Sequence, residues 1–371
     1  MAELKIPAAY MRGGASQGVF FNLRDLPRDP AQRDRLLLRV LGGPDPAARR
    51  LDGLAAGAVA LVGASRRDDA DVDYLYGRPS PDRASIDWSG DDGHLAAAVG
   101  PFALRHGLVA PRDGTTVVRI WQGGVGRRMA AHVEVRAGQV LEAGAFVEDG
   151  IPFPCAEIRL DFLDEPARAI LPTANAQDRL RVDGVGELAA TLAVAGLPAV
   201  FVRAADLGLT GRERPDAVRR DAALQARLEA VRGAGAAAMG ARGRAEGPPV
   251  LAWVAPPAAY RTAGGDDVAA DRVDVLARIF ADGRLQAEFG TGAAISLAAA
   301  AALPGTVVSQ VARTLPGVAA RIGHAGGVQT VGAAVARQDH GWVMEHATVS
   351  RSARCLMSGW IHVPAEASGL V

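Results

Sequence analysis

A chain of 371 residues exceeds one small core and predicts roughly two domains, and 49% hydrophobic against 22% charged residues describes a folded globular protein. Its 41 basic and 41 acidic residues cancel, which excludes the positive footprint of a nucleic-acid binder. Cys155 and Cys355 are too few for a disulfide framework or a cysteine zinc site, and the absence of an apolar signal core or membrane-length run predicts a cytoplasmic protein without a membrane partner.

In chain order, "LKIPAAYMR" reads as the first strand and "GVFFNL" as the second, followed by an amphipathic helix, "PAQRDRLLLRVLG". "DVDYLYG" is a strand, and "GHLAAAVGPFALRHG" is a helix opening from a glycine turn. "TTVVRIW", "AHVEVRAG" and "EIRLDFL" are strands bounded by Gly, Pro or charged turns. The turn-rich segment Thr173 to Glu187 is the best boundary, giving halves 1–183 and 184–371. Beyond it come the strand "PAVFVRA" and helices read over 215–240, over 267–282 ("DVAADRVDVLARIFAD") and over 293–305 ("AAISLAAAAALPG"). The fold class is α+β, with more strands than a strand-helix alternation supplies.

Two alanine-rich helices each start at a glycine turn, "SGDDGHLAAAVGPFAL" and "FGTGAAISLAAAAALPG", which hints at an internal duplication. Small residues let a helix be enclosed on every side, as at the centre of a strand-rich domain. Unpaired N–H groups at two such starts, meeting across a cleft, would form one site for a polyanion; the alternative is that both helices are only core. The same choice applies to Asp91 and Asp92, which either cap the first helix or take part in chemistry there. Lys5 is the only lysine and lies in the first strand, so no other lysine is available as a base.

Segments spread over nearly the whole chain resemble the family of 2-methylaconitate cis-trans isomerases and 4-oxalomesaconate tautomerases. They include "PAAYMRGGASQGVFF", "DADVDYLYG", "IRLDFLDEPARAILPTAN", "GTGAAISLAAAAALPGTVV", "RIGHAGGVQTV" and "GWVMEHATVSRSARCLMSGWIHVP". The resemblance implies a diaminopimelate epimerase-like fold of two pseudo-symmetric domains, each a β-barrel-like sheet around a central helix, with the site between them. It also implies proton transfer on a small unsaturated carboxylate without metal or cofactor, and it leaves homo-oligomerisation open. By the same resemblance Arg12, Gly13, Gly14, Ser16, Gln17 and Gly18 form a carboxylate-binding loop, opposed by Gly290, Thr291 and Gly292, with His324 near the cleft.

The sequence departs from the family where the chemistry is expected. Relatives of this kind read Asn-Cys-Gly-Asn before the first central helix, and here Asp91, Asp92, Gly93 and His94 stand there. Ala15 replaces a threonine and Gln17 a lysine, and the loop Ala55 to Ala58 is shortened so that Ala58 stands where a second lysine is usual. Asp92 or His94 is therefore the expected proton-transfer group, the other orienting it or the substrate, with Gly93 beside the substrate. The lost positive charge argues for a substrate larger or less anionic than a tricarboxylate. Two further functions suit the same cleft: a cofactor-free lyase, decarboxylase or cyclase, and a binding protein without activity.

Overall fold

The computed structural model describes residues 3–43, 53–54, 56–80, 83–163, 169–245, 248–287, 289–314 and 318–364. Ala55, in the shortened loop, lies outside them. The chain forms two compact units, residues 1–162 with 350–371, and residues 163–349.

The first unit opens with β1 (Glu3–Gly13) and β2 (Ser16–Asn22), an antiparallel hairpin. Helix α1 (Pro30–Leu41) starts where Asp29 accepts a hydrogen bond from the Gln32 N–H, with Pro30 at the first helical position, and stops at Gly42 in the left-handed conformation. Then come β3 (Val59–Ala64), β4 (Val72–Pro79), a 3₁₀ turn over Leu95–Ala98 running into α2 (Val99–Arg105), β5 (Gly114–Gln122), β6 (Arg127–Arg136) and β7 (Ile158–Leu163).

The second unit contains β8 (Asp178–Val182), β9 (Gly186–Val194), β10 (Pro198–Arg203), α3 (Pro215–Arg220), α4 (Ala222–Ala245) and β11 (Val250–Ala255). It continues with β12 (Val275–Ala281), α5 (Thr291–Ala302), β13 (Ala320–His324), β14 (Gly327–Gln338) and β15 (Gly341–Arg351). The last strand, β16 (Ala353–Pro364), returns to the first unit and pairs antiparallel along β1.

The units repeat one topology. In the first, β1–β2 is antiparallel, β2–β3 parallel, β3–β4 antiparallel, β4–β5 parallel and β5–β6 antiparallel. In the second, β9–β10, β10–β11, β11–β12, β12–β13 and β13–β14 follow the same alternation. The repeat extends to side chains. Asp71 accepts from the Arg119 backbone N–H, Nε and Nη2, while Arg119 Nη1 donates to the Asp68 carbonyl. Asp274 and Arg321 reproduce every one of these bonds, with Asp271 in the place of Asp68. The duplication hinted at by two alanine helices is thus carried by a strand-end fork that neither helix contains.

Each repeat encloses its alanine helix. The turn and α2 touch β1, β2, β3, β5, β6 and β16, and every residue from Leu95 to Leu104 is buried. Gly100 has no room for a side chain, because a Cβ there would lie 2.8 Å from Ala131 Cβ and 2.9 Å from Val133 Cγ2. In the second unit α5 contacts β9, β10, β13 and β14 and is buried from Ala293 to Ala301. On the outer face of each sheet lies another core, with Leu37 and Leu41 of α1 against Phe21 and Leu61, and Leu228 and Val231 of α4 against Val200 and Trp253.

Three expectations require correction. The segment 267–282 is no helix: Val275–Ala281 is the strand β12, hydrogen-bonded between β11 and β13. Its residues are buried without alternation, Arg278 included, and apolar residues on both sides of that arginine match helical spacing as well as strand spacing. The helix over 215–240 is broken at Asp221 into α3 and α4. The division at 183/184 would cut between β8 and β9, which pair in register; the units part at 162/163 instead, and the final strand belongs to the first.

Candidate active site

The hairpin turn of β1 and β2 carries Arg12-Gly13-Gly14-Ala15-Ser16-Gln17-Gly18, and its glycines are required by what lies beneath. A Cβ on Gly13 would collide with the His94 carbonyl oxygen, and one on Gly14 with the imidazole of His94. A Cβ on Gly18 would lie 2.9 Å from Leu95 Cδ2 and 3.1 Å from the Ala58 carbonyl oxygen. The hairpin therefore rests directly on the helix start, and Gly14 also adopts a left-handed φ of 48°. Gly14→Ala is expected to cost about 2–3 kcal/mol from that conformation and the collision. Thermal unfolding and kcat measured together would show both falling, since His94 must move.

Arg12, expected to bind a carboxylate, is buried and braces this turn from behind. Its Nη1 donates to the Gly14 carbonyl and to Ser352 Oγ, both at 2.9 Å, and Nη2 lies 3.5 Å from Cys155 Sγ. Ser352 in turn donates from its backbone N–H (2.7 Å) and its hydroxyl (2.6 Å) to Glu148, whose other oxygen lies 3.8 Å from Arg351 Nη1. Burial, only partly offset by Ser352 and Arg351, holds the Glu148 carboxyl above its usual range. Ser16 is half-buried, and Gln17 is exposed with its side-chain oxygen accepting from the Tyr10 hydroxyl.

At the helix start, Asp92 Oδ1 accepts from the backbone N–H groups of His94 (2.9 Å) and Leu95 (3.0 Å), so the carboxylate does cap the turn. No hydrogen bond from a described residue engages its other oxygen, Oδ2. Gly93 is buried under the pair. His94 Nδ1 accepts from the Ala15 N–H at 3.2 Å, which places the proton of the neutral ring on Nε2. Burial first, then Arg351, lowers the His94 pKa to about 4 against the opposing pull of Asp92. At neutral pH this ring is an uncharged donor rather than a strong base.

Neutrality of His94 has a stability consequence. Its folded pKa lies below the ordinary 6.5, so the stabilisation is complete above 6.5 and is lost as pH falls through 4. The melting temperature is expected to drop across that window by the equivalent of roughly 2–3 kcal/mol. In His94→Asn, whose side-chain oxygen can still accept from Ala15, calorimetry should find a shallower drop.

Asp91 sits 3.6 Å from Arg127 Nη1, and burial raises its carboxyl above the usual range, with Arg127 opposing and Asp92 reinforcing the rise. Gln122, at the end of β5, donates to the Gly90 carbonyl and accepts from the Gly124 N–H, tying strand to helix-start segment.

The second unit places Gly290 at the N-cap of α5 without a side-chain cap, and Thr291 buried at its first position. A Cβ on Gly196, in the β9–β10 turn, would collide with the Gly292 carbonyl, as one on Gly13 would with His94. Ser296 Oγ fixes that turn, accepting from the N–H groups of Gly196 and Leu197 and donating to the Leu197 carbonyl. His324, at the end of β13, occupies the place of Gln122: its Nδ1 lies 3.2 Å from the Gly326 N–H and 3.3 Å from the Ala287 carbonyl. Its observed contacts tie a strand end to the segment before a central helix.

Sequence reasoning missed Glu148, Ser352 and Arg351, which are far from the turn in sequence, and Tyr74, read only as part of a strand. Among the described residues no group of His, Cys, Asp and Glu could hold a metal ion, and no helix is long and apolar enough to cross a membrane.

A sheet-dominated α+β chain built from two strand-wrapped helices, each with a glycine hairpin seated on its N-terminus, is the framework of an epimerase-like isomerase. Residues 3–364 match the model of the PrpF protein family, and the chain belongs to that family. It is 41% identical to a 2-methyl-aconitate isomerase of Shewanella oneidensis and 42% identical to one of Cupriavidus necator, covering 98% of this chain and of each relative. The crystal structure of a methylitaconate-delta-isomerase superposes with a TM-score of 0.88 at 32% identity, over 99% of this chain and 98% of that one. The protein is accordingly an isomerase.

Proposed function

We propose that this protein isomerises a small unsaturated carboxylate by carrying a proton between carbons of the substrate, with Asp92 as the proton carrier and His94 as a donor to the developing charge. Kinship with 2-methyl-aconitate isomerases along almost the whole chain supports the reaction class. The observation that carries the residue assignment is the division of labour at Asp92: Oδ1 secures the helix start and Oδ2 receives no bond from a described residue.

The chemistry follows from these groups. Removing a proton from carbon next to a conjugated carboxylate leaves an electron pair that spreads onto the carboxylate oxygens. A neutral imidazole with Nε2–H can donate to that oxygen without being drained of its own proton. The proton returns from Asp92 to another carbon of the allylic frame, so one carboxylate suffices for the round trip. Ser16 and Gln17 are assigned to substrate contact, Gly13, Gly14, Gly18 and Arg12 to shaping the loop, and Gly93 to close approach. His324 is assigned to holding the segment before α5. The substrate partner is a small-molecule carboxylate, and no cofactor enters this scheme.

Incubating the protein with 2-methylaconitate or 3-methylitaconate in deuterated water and following by NMR tests the reading. Isomer formation with carbon-bound deuterium is the expected result. New products without exchange would mean a lyase or cyclase, and binding without either would mean a non-catalytic protein.

A further inference from the structure

Tyr74 lies on β4 with 0% exposure, on the face that also buries Val72 and Tyr76, and its hydroxyl has no hydrogen-bond partner among the described residues. The strand itself is fully paired, Tyr74 standing opposite Val62 in β3 and Gln122 in β5, so the side chain has little freedom to turn away. The charges that bear on its hydroxyl are those of Asp91 and Asp92, with Tyr76 as a further neighbour. Asp91 lies 3.6 Å from Arg127 Nη1, and Asp92 bears also on His94 and Tyr76. A buried hydroxyl with no partner is costly, and Gln122, paired beside Tyr74 on the neighbouring strand, reaches the Gly90 carbonyl next to Asp91, so the segment that carries the two carboxylates is the one a bridging water would connect to the hydroxyl.

We propose that Tyr74 is a positioning residue of the proton-transfer centre, its hydroxyl donating through one enclosed water molecule to the Asp91–Asp92 carboxylates and so holding the open oxygen of Asp92 in place. The assignment rests on Asp92 being the proton carrier.

Tyr74→Phe separates this role from a structural one, because deleting a hydroxyl that bonds to nothing in the protein should leave the fold intact. The expected result is a melting temperature unchanged or raised, kcat lowered by about tenfold, and the acid limb of the kcat/KM profile moved to higher pH, since a bond to the ionised carboxylate is lost. A variant with the kinetics and pH profile of the parent would overturn the proposal. A crystal structure of the unsubstituted protein gives a second readout independent of turnover. A water within hydrogen-bond distance of Tyr74 Oη and of Asp91 or Asp92 is expected. A hydroxyl bonded to a protein carbonyl, or packed dry, would overturn the proposal even if no acid were turned over.

Discussion

Asp92→Asn should reduce turnover by about 10²–10⁴-fold, the range that a positioned acid-base group contributes, while unfolding stays within about 1 kcal/mol of the parent. The separation is possible because the two oxygens of Asp92 have different tasks. Asparagine keeps an oxygen for the His94 and Leu95 N–H groups, and it caps a helix start about as well as aspartate. It cannot take up a proton. Asp92→Ala, losing the cap as well, should fall by roughly 1 kcal/mol in stability besides losing activity. Retained turnover in Asp92→Asn would reduce Asp92 to a cap and move the chemistry elsewhere.

Glu148→Ala is expected to destabilise the first unit by about 3–5 kcal/mol, or to lower the melting temperature by roughly 10 °C. The magnitude comes from what is left behind rather than from the worth of the pair. Burial outweighs the partners in setting the Glu148 carboxyl, so the ionised group is held at little net gain. Removing it strands the Ser352 N–H and hydroxyl without their acceptor and takes away the carboxylate 3.8 Å from Arg351 Nη1. Because Ser352 also receives Arg12, and Arg12 holds the Gly14 carbonyl, the loss should reach the hairpin that seats His94. Scanning calorimetry and urea unfolding check this, and a deficit below about 1 kcal/mol would show that the arginines do not depend on Glu148.

The glycine turns illustrate how a residue can be read correctly and its reason missed. "RGGASQG" marks a place where side chains are excluded, which is legible, and anion approach is the common cause. The observed cause is a second segment 80 residues away in sequence, His94 and Leu95, pressed against the turn. Arg12 is a similar case: a lone arginine beside two glycines suggests a carboxylate receptor, yet it is buried and bonds to Gly14, Ser352 and Cys155. No local pattern reports Ser352 or Glu148, because their relation to Arg12 exists only once β16 lies along β1.

From the chain alone came its fold class, the two enclosed alanine helices, the duplication they hint at and the family resemblance, since periodicity, small-residue runs and turn glycines are local properties written into neighbouring residues. The tertiary structure decided that β12 is a strand, that the last strand closes the first unit, that His94 is a neutral donor, and that Asp92 divides its two oxygens. These depend on burial and on partners distant in sequence, and the cost of removing a charge or a hydroxyl from water is set by what folding brings beside it.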